Sequence, residues 1–158
     1  MPALLDTDEC YRALGRVDIT GALDVLDDLP YFKSGQSKAG MYQCDVCVSS
    51  QFPPEINALV ASLGLGGELA RAVIRKLAPG QDIPPHIDDW MPAEADWRRF
   101  QVPLVTDPRI IMRWPDDAVE VHLEAGVLYE VRFDRLHEVI NGSDKPRIHL
   151  QIDQVDAP

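Results

Sequence analysis

The chain has 158 residues, 46% hydrophobic and 26% charged, a length and apolar content that suit one folded domain and exclude disorder. Fifteen basic against twenty-six acidic residues give a net charge of −11, which repels phosphate backbones and argues against nucleic acid as a partner. No apolar stretch nears the roughly 18 residues of a membrane span, Met1 to Asp8 lacks the apolar centre of a signal peptide, and three cysteines are too few for a disulfide framework, so the expected compartment is the cytoplasm.

In chain order, Ile19, Ala22, Leu23, Val25 and Leu26 predict a short helix within Asp18–Leu29. Lys33 to Gly40 is rich in Gly, Ser and Lys and reads as a mobile loop, and Met41 to Val48 alternates as a strand. Pro53-Pro54-Glu55 opens a helix running to about Leu63, where Gly64, Gly66 and Gly67 stop it. The rhythm then changes to short β-rich runs: Ala72–Leu77, Phe100–Thr106, Ile110–Trp114, Val119–Leu123, Val127–Phe133, His137–Asn141 and Arg147–Val155. Turn residues such as Pro79-Gly80, Asp107-Pro108 and Gly142-Ser143-Asp144 separate them. Many short strands at this spacing predict an antiparallel barrel or a double-sheet jelly roll. The helices precede the strands, so they are expected on one outer face.

The chemistry concentrates in few residues. Pro84-Pro85-His86-Ile87-Asp88 places an imidazole and a carboxylate two apart, on one side of an extended chain. His137 follows 51 residues later at a strand end. Two histidines and one carboxylate with open positions form the facial triad of non-haem Fe(II) oxygenases. Arg147-Ile148-His149-Leu150-Gln151-Ile152-Asp153 alternates cleanly, with all its polar residues on one face. A polar face on an internal strand predicts a wet cavity. An arginine aimed into it is suited to clamp a carboxylate with two parallel hydrogen bonds. Arg99 and Gln101 share one face of their strand, and Phe100, Val102 and Leu104 the other.

Taken together, Arg75-Lys76-Leu77-Ala78-Pro79-Gly80, Ile83 to Asp88, Arg99 to Leu104, Gly126 to Asn141 and Arg147 to Asp153 resemble the aspartyl/asparaginyl β-hydroxylase family, over roughly residues 70–155. These are Fe(II)- and 2-oxoglutarate-dependent oxygenases. The resemblance implies a mainly β fold with flanking N-terminal helices, a double-stranded β-helix of the jelly-roll, cupin-like kind, with 1–158 as a single oxygenase domain. It implies His86, Asp88 and His137 as iron ligands and Arg147 on the distal carboxylate of 2-oxoglutarate. Arg99 takes the place of a second arginine on the cosubstrate, and Gln101 stands where many members have histidine. The retained Asp88 argues against halogenation, which needs that coordination position vacant.

The implied activity is hydroxylation of an unactivated C–H of an amino-acid side chain, with succinate and CO2 as coproducts. The substrate is proline, Asp or Asn as free amino acids, or a residue of a peptide; O2 is the oxidant, and neither nucleic acid nor membrane is a partner. The competing reading is a non-catalytic jelly-roll module that binds a metal or small acid. His122, between Glu120 and Glu124 on one face, is the rival metal ligand of a cupin-like site. His149 is expected to line the pocket or make a structural hydrogen bond. Cys44 and Cys47 are expected to point to opposite sides of a strand and so share no metal. Trp90, Trp97, Arg113, Trp114 and Tyr129 are candidate pocket walls, with packing the commoner role of such residues. Asn141 is a candidate to orient groups near His137.

Overall fold

The computed structural model describes residues 4–6, 9–35, 43–88 and 96–155. Its strands are β1 (Tyr11–Arg16), β2 (Phe32–Gly35), β3 (Gln43–Val48), β4 (Glu68–Leu77), β5 (Ile83–His86), β6 (Trp97–Val105), β7 (Ile110–Trp114), β8 (Val119–Val121), β9 (Val127–Val131), β10 (His137–Asn141) and β11 (Arg147–Val155). The helices are α1 (Thr20–Leu23) and α2 (Pro54–Ser62). A large sheet runs β1-β9-β6-β11-β4-β3-β2 and a small one β5-β10-β7-β8. Every pairing is antiparallel. Two such sheets face to face are the expected jelly roll.

The alternation of β6 and β11 builds two compartments. Phe100, Val102, Leu104, Ile148, Leu150 and Ile152 turn outward and pack under Ala22, Leu26, Ile56 and Leu59 of the helical segments. Between the sheets, Val46, Val73, Leu77, Val127 and Val131 of the large sheet meet Ile83, Ile110, Met112 and Val139 of the small one. The helices thus cover one outer face, as expected. The Cys44 side chain sits in the inter-sheet core and that of Cys47 on the helix side, and Cys10, Cys44 and Cys47 are all free thiols.

Three expectations need correction. The helix within Asp18–Leu29 breaks into one turn of α1 and a 3-10 turn over Leu26–Asp28. Neither Ile19 nor Val25, the residues at the two N-caps, makes a side-chain cap, and a segment this short relies on tertiary burial of Ala22, Leu26 and Leu29 rather than on helix propagation. The start of the expected Lys33–Gly40 loop is the strand β2. Lys33 there pairs across to Asp45, with Nζ 2.9 Å from the carboxylate; residues 36–42, including the start of the strand expected at Met41, lie outside the described residues. β1, β2 and β3 precede α2, so the helices do not all come before the strands.

The Pro79-Gly80 turn carries the chain from the large sheet to the small one. Gly80 has φ +73°, and Gln81 N–H donates to the Ala78 carbonyl at 3.1 Å. Proline followed by a residue with positive φ is the sequence a type II turn requires. β5 then enters as an edge strand, the position where Pro84 and Pro85 cost no ladder hydrogen bonds. No helix among the described residues is long and apolar enough to cross a membrane.

Candidate metal centre

β5 and β10 pair with His86 directly opposite His137, so strand register removes the 51-residue separation. The two rings lie 4.4 Å apart between centroids, tilted by 53°. Asp88 follows β5, its backbone N–H held by the Phe133 carbonyl at 3.1 Å. One ligating atom from each of His86, Asp88 and His137 falls within 4.8 Å of the others.

The donor chemistry suits a divalent metal. His86 Nδ1 donates to the Pro84 carbonyl at 2.8 Å and His137 Nδ1 to the Arg135 carbonyl at 2.7 Å. Those bonds fix the tautomer and leave an unprotonated Nε2 on each ring, the arrangement typical of histidine ligands. His86 Nε2 is 3.6 Å from Asp88 Oδ1 and His137 Nε2 is 3.5 Å from Asp88 Oδ2, spacings that leave room for an ion between them. Burial pushes the His86 imidazole below its ordinary pKa, toward the neutral form that ligation needs. Burial pushes the Asp88 carboxyl up, but the Arg99 guanidinium, which donates to Oδ2, outweighs it and holds the acid well below the usual carboxylate range.

The large sheet supplies the opposite wall, one cross-strand row after another. Arg71 of β4, Asp153 of β11 and Arg99 of β6 form one row, and Gln151 pairs Gln101 in the next. Arg75 and His149 are partners in the third. In the first row Asp153 takes Arg99 Nε at 2.6 Å and Arg71 Nη2 at 3.2 Å. Arg99 also donates from Nη1 to Asp88 Oδ2 at 2.5 Å and lies 5.0 Å over the Phe133 ring. Burial lowers the Arg99 pKa, yet the charges of Asp153 and Asp88 raise it more, so the group stays cationic at 5% exposure.

Arg147 is 4% exposed and does not face solvent; its Nη2 donates to Gln101 Oε1 at 3.3 Å. His149 Nδ1 donates to the same oxygen at 2.8 Å, and these two donors fix the amide orientation. His149 Nε2 is buried and has no hydrogen-bond partner among the described residues. Burial first, then the charges of Arg147 and His122, hold this imidazole well below its ordinary pKa. The cavity between the walls has about 440 Å³ of space, part of it open to solvent, and reaches His86, Asp88, Arg99, Gln101, His137 and Arg147 together.

Other candidates fall elsewhere. His122 bonds through Nδ1 to the Ile110 carbonyl at 3.0 Å and joins no metal-binding group among the described residues. Trp114 is fully buried with Nε1 on the Arg132 carbonyl, and Tyr129 OH accepts from the Glu124 N–H; both are packing residues. Arg113 pairs with Glu120 and Glu138. Neither these nor Trp97 line the cavity, and Trp90 lies outside the described residues. Asn141 does not orient His137: its Nδ2 donates to the Ala78 and Lys145 carbonyls and closes the turn that delivers Arg147. Sequence reasoning missed Arg71, Arg75 and the role of Asp153. For Arg71 and Arg75 the two-residue alternation Arg71-Val73-Arg75 was a signal, weak by itself.

A His-Asp-His cluster and a buried arginine, held between the sheets of a jelly roll, define the class of non-haem iron oxygenases. Residues 42–157 match the Aspartyl/Asparaginyl beta-hydroxylase family, and the chain belongs to it and is an oxygenase. Among solved structures it is similar to the non-heme alpha ketoglutarate dependent carbocyclase SnoK from nogalamycin biosynthesis, with TM-score 0.68 and 16% identity over 95% of this chain and 81% of that one. A Pseudomonas putida prolyl-4-hydroxylase matches with TM-score 0.64 and 15% identity, over 94% and 93% of the two chains. The viral collagen prolyl hydroxylase of Paramecium Bursaria Chlorella virus-1 gives TM-score 0.63 and 11% identity, over 95% and 97%. At these identities the likeness is one of fold. No curated protein matches the sequence.

Proposed function

We propose that the chain, acting as one domain over 1–158, is an Fe(II)/2-oxoglutarate-dependent hydroxylase of an amino-acid side chain, free or in a peptide. The observation that carries this reading is the convergence of His86, Asp88 and His137 within 4.8 Å, with both imidazoles turned by backbone carbonyls to present Nε2. When bound, iron and 2-oxoglutarate supply the oxidising chemistry by which O2 converts C–H to C–OH with release of succinate and CO2. His86, Asp88 and His137 would hold the metal. Arg147 grips the distal carboxylate of the cosubstrate, steadied by Gln101, which His149 orients in turn. Arg99 acts through Asp88: its donors Nε, Nη1 and Nη2 are engaged by Asp153 and Asp88, so it aims the carboxylate and keeps it ionised. The buried walls exclude water from the reacting carbon. Three free thiols support a reducing compartment, the cytoplasm.

The test is succinate formation by purified protein with Fe(II), 2-oxoglutarate and O2 across an amino-acid panel. Succinate appearing in step with a hydroxylated product supports the reading. Protein that binds no iron and consumes no 2-oxoglutarate with any substrate overturns it.

A further inference from the structure

A second, smaller cavity shares Arg147 and Met112 with the main one and is completed by Thr106, Ile110, Leu123 and His149. It leaves about 10 Å³ of room for water, at the lower bound for a single molecule. His149 lines this cavity and not the main one. The residue is 3% exposed, Nδ1 donates to Gln101 Oε1 at 2.8 Å, and Nε2 has no hydrogen-bond partner among the described residues. Because Nδ1 carries the proton, Nε2 is an acceptor. A buried acceptor of this kind is rarely left unmet in a folded protein. What can meet it is narrow. A cation is repelled by Arg147, whose charge reaches the His149 ring. An anion offers no proton to the Nε2 lone pair. A neutral donor the size of water satisfies the lone pair, the charge and the volume together.

We propose that one water is bound in this cavity and donates to His149 Nε2, and that His149 so held is a positioning residue for 2-oxoglutarate, acting through Gln101 on Arg147. The inference rests on Arg147 as the cosubstrate clamp proposed above. The chain runs from the water to His149, from His149 Nδ1 to Gln101 Oε1, and to the same oxygen from Arg147 Nη2 at 3.3 Å. Thr106 and Arg147 are the other polar groups of the lining and supply the water's remaining partners. With Nε2 met, Nδ1 keeps the proton and the Gln101 oxygen stays turned to Arg147. A Gln101 amide released from His149 can turn its NH2 group to Arg147 instead, where two donors face one another and the guanidinium leaves the angle at which its fork meets a carboxylate. None of these groups is among the three metal-binding residues, so the effect falls on the grip on the cosubstrate and not on the metal.

The test uses protein loaded with Mn(II), which takes the place of iron without turnover. A crystal structure that shows ordered waters should place one within hydrogen-bond distance of His149 Nε2. Nitrogen-15 spectra of histidine-labelled protein should show His149 with its proton on Nδ1. In His149→Phe, 2-oxoglutarate should bind about threefold to tenfold more weakly with Mn(II) affinity unchanged. In turnover assays with iron the same variant should raise KM for 2-oxoglutarate with kcat retained. His149→Asn, which keeps a donor for Gln101, should recover part of the affinity. Leu123→Phe, which fills the cavity and spares His149, should weaken 2-oxoglutarate binding in the same direction by a smaller factor. A structure with no water at Nε2, a proton on Nε2, unaltered 2-oxoglutarate affinity in His149→Phe, an equal loss of Mn(II) affinity in that variant, or unaltered affinity in a folded Leu123→Phe each overturns the proposal. The wild-type structure and spectrum decide it even where Leu123→Phe does not fold. An Arg147→Gln variant that binds 2-oxoglutarate as tightly as the wild type overturns instead the clamp on which the inference rests, and the water is still read in the crystal.

Discussion

The two faces of β6 and β11 are equally buried and chemically opposite. Phe100 and Leu150 on the helix side are 0% exposed, and so is Asp153 on the cavity side. The outward face is apolar and held by packing, apart from the Arg98–Glu130 ion pair and Gln154 near one end of the strands. The inward face keeps Arg99, Gln101, Arg147, His149, Gln151 and Asp153 out of bulk water, and of their fully buried polar atoms only His149 Nε2 finds no partner among the described residues. Depth therefore does not separate core from site in this molecule. Partner chemistry does, because apolar burial stabilises directly while a buried charge is tolerated only when it is paired.

Substitutions on the two faces should have different signatures. The largest effect is expected from Asp88→Ala, which should weaken metal binding by more than about a hundredfold, beyond what loss of a supporting residue typically causes. His122→Ala should leave it unchanged. Calorimetric titration with Mn(II) reads both, and a metal-binding defect in His122→Ala alone would transfer the site to the small sheet's other strands. Asp153→Ala removes the shared partner of Arg71 and Arg99 and should cost about 3–5 kcal/mol of stability. It should also weaken metal binding, because Arg99 loses its support beside Asp88.

On the dry face, Leu150→Ala should cost about 2–5 kcal/mol by leaving a cavity. Metal and 2-oxoglutarate affinities of the folded fraction should not change. Urea unfolding paired with titration separates the two signatures, and a Leu150 variant that lost ligand affinity at intact fold would break the contrast between faces. Arg147→Gln should lower 2-oxoglutarate affinity about tenfold to a hundredfold, with Mn(II) binding retained.

The smallest effect is one of pH. His149 is neutral in the folded chain because burial holds its pKa far down, whereas the unfolded chain regains the ordinary value near 6.5. Above that value both states are neutral and the group contributes nothing. As pH falls below it only the unfolded state takes the proton, so stability drops by about 1.4 kcal/mol per pH unit for this group. His149→Gln should remove that share of the slope in urea unfolding between pH 7.5 and 5.5. Identical slopes for the two proteins would show the imidazole is protonated in the fold.

Much of this was legible in the chain, for local reasons. β7, β10 and β11 were readable to the residue because period-two alternation and turn dipeptides are written in neighbouring positions. Pro53-Pro54 likewise announced α2. β1 and β2 were not readable, since short mixed strands owe their existence to partners such as β9 and β3. Arg99 was visible as a polar residue facing a cavity, but its engagement by both Asp88 and Asp153 was not. That contact joins residues 11 and 54 positions away.

From sequence alone came the inventory of this protein: a β-rich chain, a His-x-Asp pair, a distant histidine, and an arginine on an alternating strand, because residue type and two-residue period are local properties. Only the tertiary structure decided which groups meet. Antiparallel register set His137 opposite His86, and the facing of the two sheets gave Asp88 its guanidinium and left Arg75 with a sulfur in place of an acid. Distances across strands depend on register and sheet packing, which no window of neighbouring residues encodes.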